Sequence, residues 1–127
     1  LDYVIGQALE DSVTNNSTQI VMEFKNWPDI PACNIQEAIL LSAEKDLVII
    51  FAQFMGWPNI SDETWGKALV RSAKYGSNVI ADFILRYKFV PNNFFEQALN
   101  KASRNGVRSL YDLLLSEKVG IYNSTNR

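Results

Sequence analysis

Few side chains in this chain could do chemistry. Its 127 residues include no histidine and a single cysteine, Cys33, which removes the commonest general base and metal ligand along with any Cys-rich zinc site. Ser-His-Asp triads and HExxH metal sites are therefore excluded. Carboxylates remain, and Glu10-Asp11 and Asp62-Glu63 are adjacent pairs that could share acid and base roles if a cleft enclosed them and raised a pKa. Both pairs instead fall at helix starts or on exposed faces, where solvation and the helix dipole account for them. Cys33 has no neighbouring nucleophile or metal motif and reads as inert; alone, it closes no intramolecular disulfide. No catalytic residue, metal site or cofactor is expected.

Charge is the more informative chemistry. Residues 1–63 carry ten acids and two bases, a balance of −8, whereas residues 64–127 carry four acids and ten bases, a balance of +6; the whole chain is −2. The bases Lys67, Arg71, Lys74, Lys101, Arg104 and Arg108 fall in two corresponding stretches thirty or so residues apart. Gathered on one face they would attract an acidic or phosphorylated partner, or nucleic acid. Tyr75 beside Lys74 is the kind of stacking residue a single strand uses, but the overall negative charge argues for a protein partner over nucleic acid. The bland reading is a dipolar domain, soluble at both ends.

The elements that position these residues follow from an internal period of thirty. Ala8-Leu9, Ala38-Ile39, Ala68-Leu69 and Ala98-Leu99 recur at that spacing, each followed by Ser12, Ser42, Ser72 or Ala102. Ile20, Ile50, Ile80 and Leu110 recur likewise, as do Phe24, Phe54, Ile84 and Leu114. Trp27-Pro28 and Trp57-Pro58 end two units, and Tyr87 and Pro91 mark the third. Within a unit the apolar residues fall three and four apart, which is helical spacing. Asn16, Asp46, Gly76 and Gly106 align between the helices of each unit; these residue types tolerate positive φ, so a left-handed turn closes each first helix. Asn34 before Glu37, Asn93 before Glu96, and Ser61 before Asp62-Glu63 read as helix starts.

Eight helices are expected, over 3–14, 17–26, 35–45, 47–55, 62–75, 77–88, 94–105 and 107–117. They form units 4–33, 34–63, 64–93 and 94–119 of a single repeat domain spanning 1–119, with a frayed polar tail at 120–127. Short helix pairs cannot bury both faces alone, so the four stack into an all-α solenoid with a continuous core. The expected inner layer is Ala8, Leu9, Ala38, Ile39, Ala68, Leu69, Ala98 and Leu99; Ile50, Phe54, Ile80, Phe83, Ile84, Leu110, Leu113 and Leu114 pack from the second helices. Because Leu1 lies so close to the first helix, an uncapped first unit would expose apolar surface and dimerise or require a neighbour. Trp27, Trp57, Trp65, Phe94 and Phe95 could be taken for a ligand cage, but Trp27 and Trp57 recur at the repeat period beside Pro and read as packing between units. Trp65 stands apart from that pattern near a helix start, as an exposed anchor for a partner or as a filler of space left by a short loop.

The third unit, Lys67-Ala68-Leu69-Val70-Arg71-Ser72-Ala73-Lys74-Tyr75-Gly76 followed by Val79-Ile80-Ala81-Asp82-Phe83-Ile84-Leu85, resembles an ankyrin repeat, and Ala98-Leu99, Asn105-Gly106 and Leu113-Leu114-Leu115 carry the resemblance through the fourth. The family's Thr-Pro-Leu-His start is absent, and each unit is shorter than the family's length of about 33. The shortening falls where that family extends β-hairpin fingers, which implies Pro-containing loops in their place. Other helical-pair solenoids, including those that read nucleic acid one base per unit, are the structural competitors.

The resemblance implies a non-catalytic module that binds a protein partner through its concave face and inter-helix turns, as an adaptor, an inhibitor or a targeting domain. The contact residues it implies are Thr14 and Asn15, Glu44 and Lys45, Lys74 and Tyr75, and Arg104 and Asn105. Trp65, Lys67, Arg71 and Lys101 join them as candidates from the aromatic and charge patterns. Short degenerate repeats of this kind resemble those of viral and intracellular-bacterial proteins acting inside a host cell, so an intracellular, cytosolic setting is expected. Glycosylation sequons at Asn15, Asn16, Asn59 and Asn123 matter only in a secreted chain, which the lack of disulfides does not favour. The longest nearly apolar run, 47–54, is too short to cross a bilayer, no charged-then-apolar leader precedes it, and no membrane partner is expected. A first residue of Leu fits a processed chain or a domain excised from a longer one.

Overall fold

A computed structural model describes residues 2–106 and 108–125, with the side chains of 4–106 and 108–117. These residues form eight helices and no strand: α1 Asp2–Thr14, α2 Thr18–Phe24, α3 Ala32–Glu44, α4 Val48–Met55, α5 Asp62–Tyr75, α6 Asn78–Tyr87, α7 Asn92–Arg104 and α8 Arg108–Thr125. The chain is all-α, and the links between helix pairs are short Pro-containing loops. The odd-numbered helices pack in succession, α1 on α3, α3 on α5 and α5 on α7. The even-numbered ones lie against their own partners and touch one another less closely.

Side-chain size explains the difference. The odd helices present Ala38, Ala43, Ala68, Ala73, Ala98 and Ala102, all buried, so their backbones approach closely. At Gly6 and Gly66 even a Cβ would collide, with the side chains of Asn34 and Phe94 respectively. The even helices meet through larger groups: Ile50, Phe51, Phe54, Ile80, Ile84, Leu110 and Leu114 are buried. Phe54 packs edge-on against Trp57 at 4.8 Å between ring centres, and Phe51 against Trp65 at 5.9 Å.

The structure corrects several expectations. Ala8 is exposed although Ala38, Ala68 and Ala98 are buried, because among the described residues α1 packs on α2 and α3 alone and no helix lies against its other side. Phe83 and Leu113 are half-buried at the edge of the core rather than within it. Helices α3 and α7 begin at Ala32 and Asn92, so Asn34 and Asn93 lie inside them and cap nothing. Pro31 and Pro91 hold the N-cap places, each with φ −57 and extended ψ. Their fixed φ sets the entry angle, and their carbonyls accept the first helical N–H groups, from Asn34 and Ile35 and from Phe94 and Phe95. Ser61, at the corresponding place before α5, caps as expected, its hydroxyl accepting from the Thr64 N–H at 3.2 Å.

Helix α8 continues to Thr125, so the segment expected as a polar tail from 120 is helical as far as it is described. No proline interrupts it, and one glycine, Gly120, costs a helix only about 1 kcal/mol. The expected start of that helix at 107 lies outside the described residues.

Candidate functional site

The turns joining the helices of each pair are one structure repeated. Asn16, Asp46, Gly76 and Gly106 all lie in the left-handed region, with φ of 55, 56, 76 and 67°. In the first three turns the next residue reaches back five places: Ser17 N–H donates to the Ser12 carbonyl, Leu47 to Ser42 and Ser77 to Ser72, each at 2.9 Å. This is the Schellman closure, which satisfies carbonyls that a helix end leaves open. The serines at its root are buried and recur for a reason. Their hydroxyls donate back to Leu9, Ile39 and Ala68 carbonyls at 2.7, 2.6 and 2.8 Å, so a small polar residue fits a close-packed layer with no unmet hydrogen bond.

The residues just before each left-handed position are those the sequence marks as contacts, and the turns bring them to one edge. Thr14, Asn15, Lys45, Lys74, Tyr75, Arg104 and Asn105 are exposed, with Tyr75 49% exposed; Glu44 is half-buried. Neighbouring turns are tied together. Ser77 Oγ donates to the Ala43 carbonyl at 2.6 Å, and Asn105 Nδ2 donates to the Lys74 carbonyl at 2.9 Å. Lys74 Nζ lies 5.4 Å from the ring centre of Tyr75, placing a cation and an aromatic face side by side on this edge. Asn105 is thus a strut between turns before it is a contact residue, and the Thr14 hydroxyl is turned back to its own helix, on the Glu10 carbonyl at 3.0 Å.

The basic cluster is smaller than its sequence suggests. Lys67 pairs with Glu63 at 3.1 Å, Arg71 with Glu44 at 3.2 Å and Arg108 with Asp112 at 3.3 Å. No ion pair engages Lys74, Lys101 or Arg104 among the described residues. These three occupy the C-terminal turns of α5 and α7, where cations also meet the negative ends of helix dipoles.

Trp65 is not an exposed anchor. It is 2% exposed, packed against Phe51, with Lys88 Nζ 4.8 Å above its ring and donating to the Met55 carbonyl at 3.1 Å. Its burial rules out the anchor; the ring fills space against Phe51 and beneath Lys88. Its period was legible: Ile5, Ile35, Trp65 and Phe95 stand thirty apart, and all four are partly or fully buried. Trp27 and Trp57 separate as well. Trp57 is buried, whereas Trp27 is 51% exposed and packs mainly on Phe24 of its own pair.

At the opposite end of the helices from the turns, an open groove of about 570 Å³ is lined by Phe24, Trp27, Ile30, Trp57, Pro58 and Ile60, with exposed Cys33 at its rim. The links that frame it contain two left-handed residues, Asp29 (φ 64°) and Asn59 (φ 62°). Each follows a Trp-Pro dipeptide and is a turn-forming type; that pairing was the signal for these turns. Among the described residues no group of three or more His, Cys, Asp or Glu converges to hold a metal ion, and no helix is long and apolar enough to cross a membrane. Comparison of the chain with protein-family models, with curated proteins and with known structures finds no match.

Proposed function

We propose that this chain is a stack of four ankyrin-like helix pairs, a small solenoid that binds another protein and performs no catalysis of its own. The observation that carries the reading is the turn edge. Four turns share one left-handed position, three of them with the same hydrogen-bonded closure, while the side chains they display pass from Thr14-Asn15 through Glu44-Lys45 and Lys74-Tyr75 to Arg104-Asn105. A fixed scaffold bearing a changing row of side chains is how a repeat protein makes a partner-specific surface. Closer packing among the odd helices than among the even ones supports an odd layer on the inside of a curve. Lys74, Lys101 and Arg104 lie toward the basic end, which suits an acidic or phosphorylated partner. In this reading the chain works inside a cell as an adaptor, an inhibitor or a targeting domain.

The test is affinity capture from cell lysate at physiological salt, with and without nuclease. It compares the parent with a Lys74→Glu, Tyr75→Ala, Arg104→Glu variant whose circular dichroism spectrum is unchanged. A specific protein retained after nuclease and lost with the variant is the expected result. Recovery of nucleic acid alone, with affinity falling steeply as salt rises, would overturn the protein-binding reading in favour of a nucleic-acid solenoid. Identical capture by parent and variant would remove the turn edge from consideration.

A further inference from the structure

The odd-numbered helices meet at three junctions, and one pair of places in them can be followed along the chain. At the α3–α5 junction these places hold Glu44 and Arg71, whose charged groups meet at 3.2 Å. At the α1–α3 junction, thirty residues earlier, they hold Thr14 and Leu41. At the α5–α7 junction, thirty residues later, they hold Lys74 and Lys101. Two cations thus stand where the preceding junction makes an ion pair.

The backbone does not draw them apart. The turns after α3 and α5 carry the same closure, from Leu47 N–H to the Ser42 carbonyl and from Ser77 N–H to the Ser72 carbonyl, each at 2.9 Å. Asn105 Nδ2 holds the end of α7 to the Lys74 carbonyl at 2.9 Å, and Arg104, next to Asn105, brings a third cation to this edge. No acid occurs in 68–81 or 97–111. The other bases of those stretches, Arg71 and Arg108, are paired with Glu44 and Asp112, whereas no ion pair among the described residues engages Lys74, Lys101 or Arg104. Lys74 Nζ instead rests 5.4 Å from the centre of the exposed Tyr75 ring, a contact weak enough to yield to an anion. The C-terminal dipole ends of α5 and α7 offset about half a charge each, so the cluster keeps a net charge of about +2.

On the reading of the turn edge proposed above, we infer that Lys74, Lys101 and Arg104 seat one phosphate monoester, a phosphorylated side chain of the partner protein. Its oxygens do for Lys101 what the Glu44 carboxylate does for Arg71 one junction earlier. A monoester carries about −1.5 to −2 at neutral pH and three acceptor oxygens, which matches the charge of the cluster in a single group. The guanidinium of Arg104 can grip two of those oxygens at once. A carboxylate supplies one charge and leaves the cluster partly unbalanced. A nucleic-acid strand calls for a cationic track along its backbone, whereas these bases meet at one junction of a chain whose first half carries −8.

Fluorescence anisotropy at constant ionic strength tests this, with labelled peptides that hold one phosphoserine or one phosphotyrosine among neutral residues. The unphosphorylated peptides, a peptide with glutamate in that place and a labelled oligothymidylate run beside them. The expected result is saturable binding of a phosphopeptide in preference to all of these, displaced by inorganic phosphate. Lys74→Gln, Lys101→Gln and Arg104→Gln should each weaken it by about two- to fivefold. Arg86→Gln removes the same charge from an existing pair with Asp82 and should leave it unchanged. Binding of neither phosphopeptide overturns the inference, as does equal binding of the glutamate peptide, tighter binding of the oligothymidylate, or equal weakening by Arg86→Gln. The partner reading is judged separately. A protein captured by the parent from phosphatase-treated lysate, and lost with Lys101→Gln, keeps the turn edge as a protein-binding surface and removes phosphate from it.

Discussion

The turns after α1, α3, α5 and α7 and the links after α2, α4 and α6 sit at opposite ends of the same helix pairs and differ in what recurs. At the turns the backbone repeats, with one left-handed residue in every unit and the same closure in the first three, while the displayed side chains change. At the links the chemistry nearly repeats, with Trp27-Pro28-Asp29 and Trp57-Pro58-Asn59, while the structure drifts. Trp57 is buried and Trp27 is not. In the third link α6 runs ten residues against seven and eight in α2 and α4, and Lys88 stands where the prolines stood. At the turns a backbone that does not change carries side chains that do. An end whose task is to fill space tolerates different solutions as long as the volume is met.

That contrast can be broken from the link side first. Phe54→Ala empties a fully buried site under Trp57 and should lower unfolding free energy by about 3–5 kcal/mol in urea titration. Loss of its Trp57 contact should show as changed tryptophan emission before unfolding begins. On the turn side, Gly76→Val forces a β-branched residue into φ of 76° and should cost roughly 1–2 kcal/mol, whereas the same change at a right-handed surface position should cost little. Ser77→Ala removes the 2.6 Å bond to the Ala43 carbonyl that ties one turn to the preceding pair; about 0.5–1.5 kcal/mol is expected. Arg71→Gln should matter least. Its ion pair with Glu44 has side chains 32 and 27% exposed, and about 0.2–1 kcal/mol, shrinking in salt, is the expected loss. If Gly76→Val proved harmless while Arg71→Gln proved severe, the turn edge would be held by charge rather than by backbone closure.

Much of this was legible in the sequence because a thirty-residue period samples every structural position four times. The left-handed turns could be read from Asn16, Asp46, Gly76 and Gly106 because few residue types accept positive φ. The inner layer could be read from its alanines. Departures arose where position in the stack, rather than residue type, sets the environment. Ala8 has the same identity as Ala38, yet only Ala38 has a preceding helix pair beside it. The helix starts at Pro31 and Pro91 were hidden because asparagine before glutamate resembles a capping box, whereas the carbonyl of a proline does the capping. The candidate site was legible as a row of exposed positions but not in its charge. Ion pairs of Lys67 and Arg71 depend on which acids the fold brings near, and Glu44 lies 27 residues from Arg71.

The ties between helix pairs share one more property. The side-chain hydrogen bonds that cross from one pair to the next join residues between 24 and 34 apart. Short loops of chain close to make them, so little entropy is spent before each contact forms, and folding should be fast for a chain of this length. Order can start in any adjacent pair of units and spread outward one unit at a time. Loss of order runs the same way in reverse: amide hydrogens in α2, the shortest helix, with Ile20 and Met22 half exposed, should exchange sooner than those in α3 and α5.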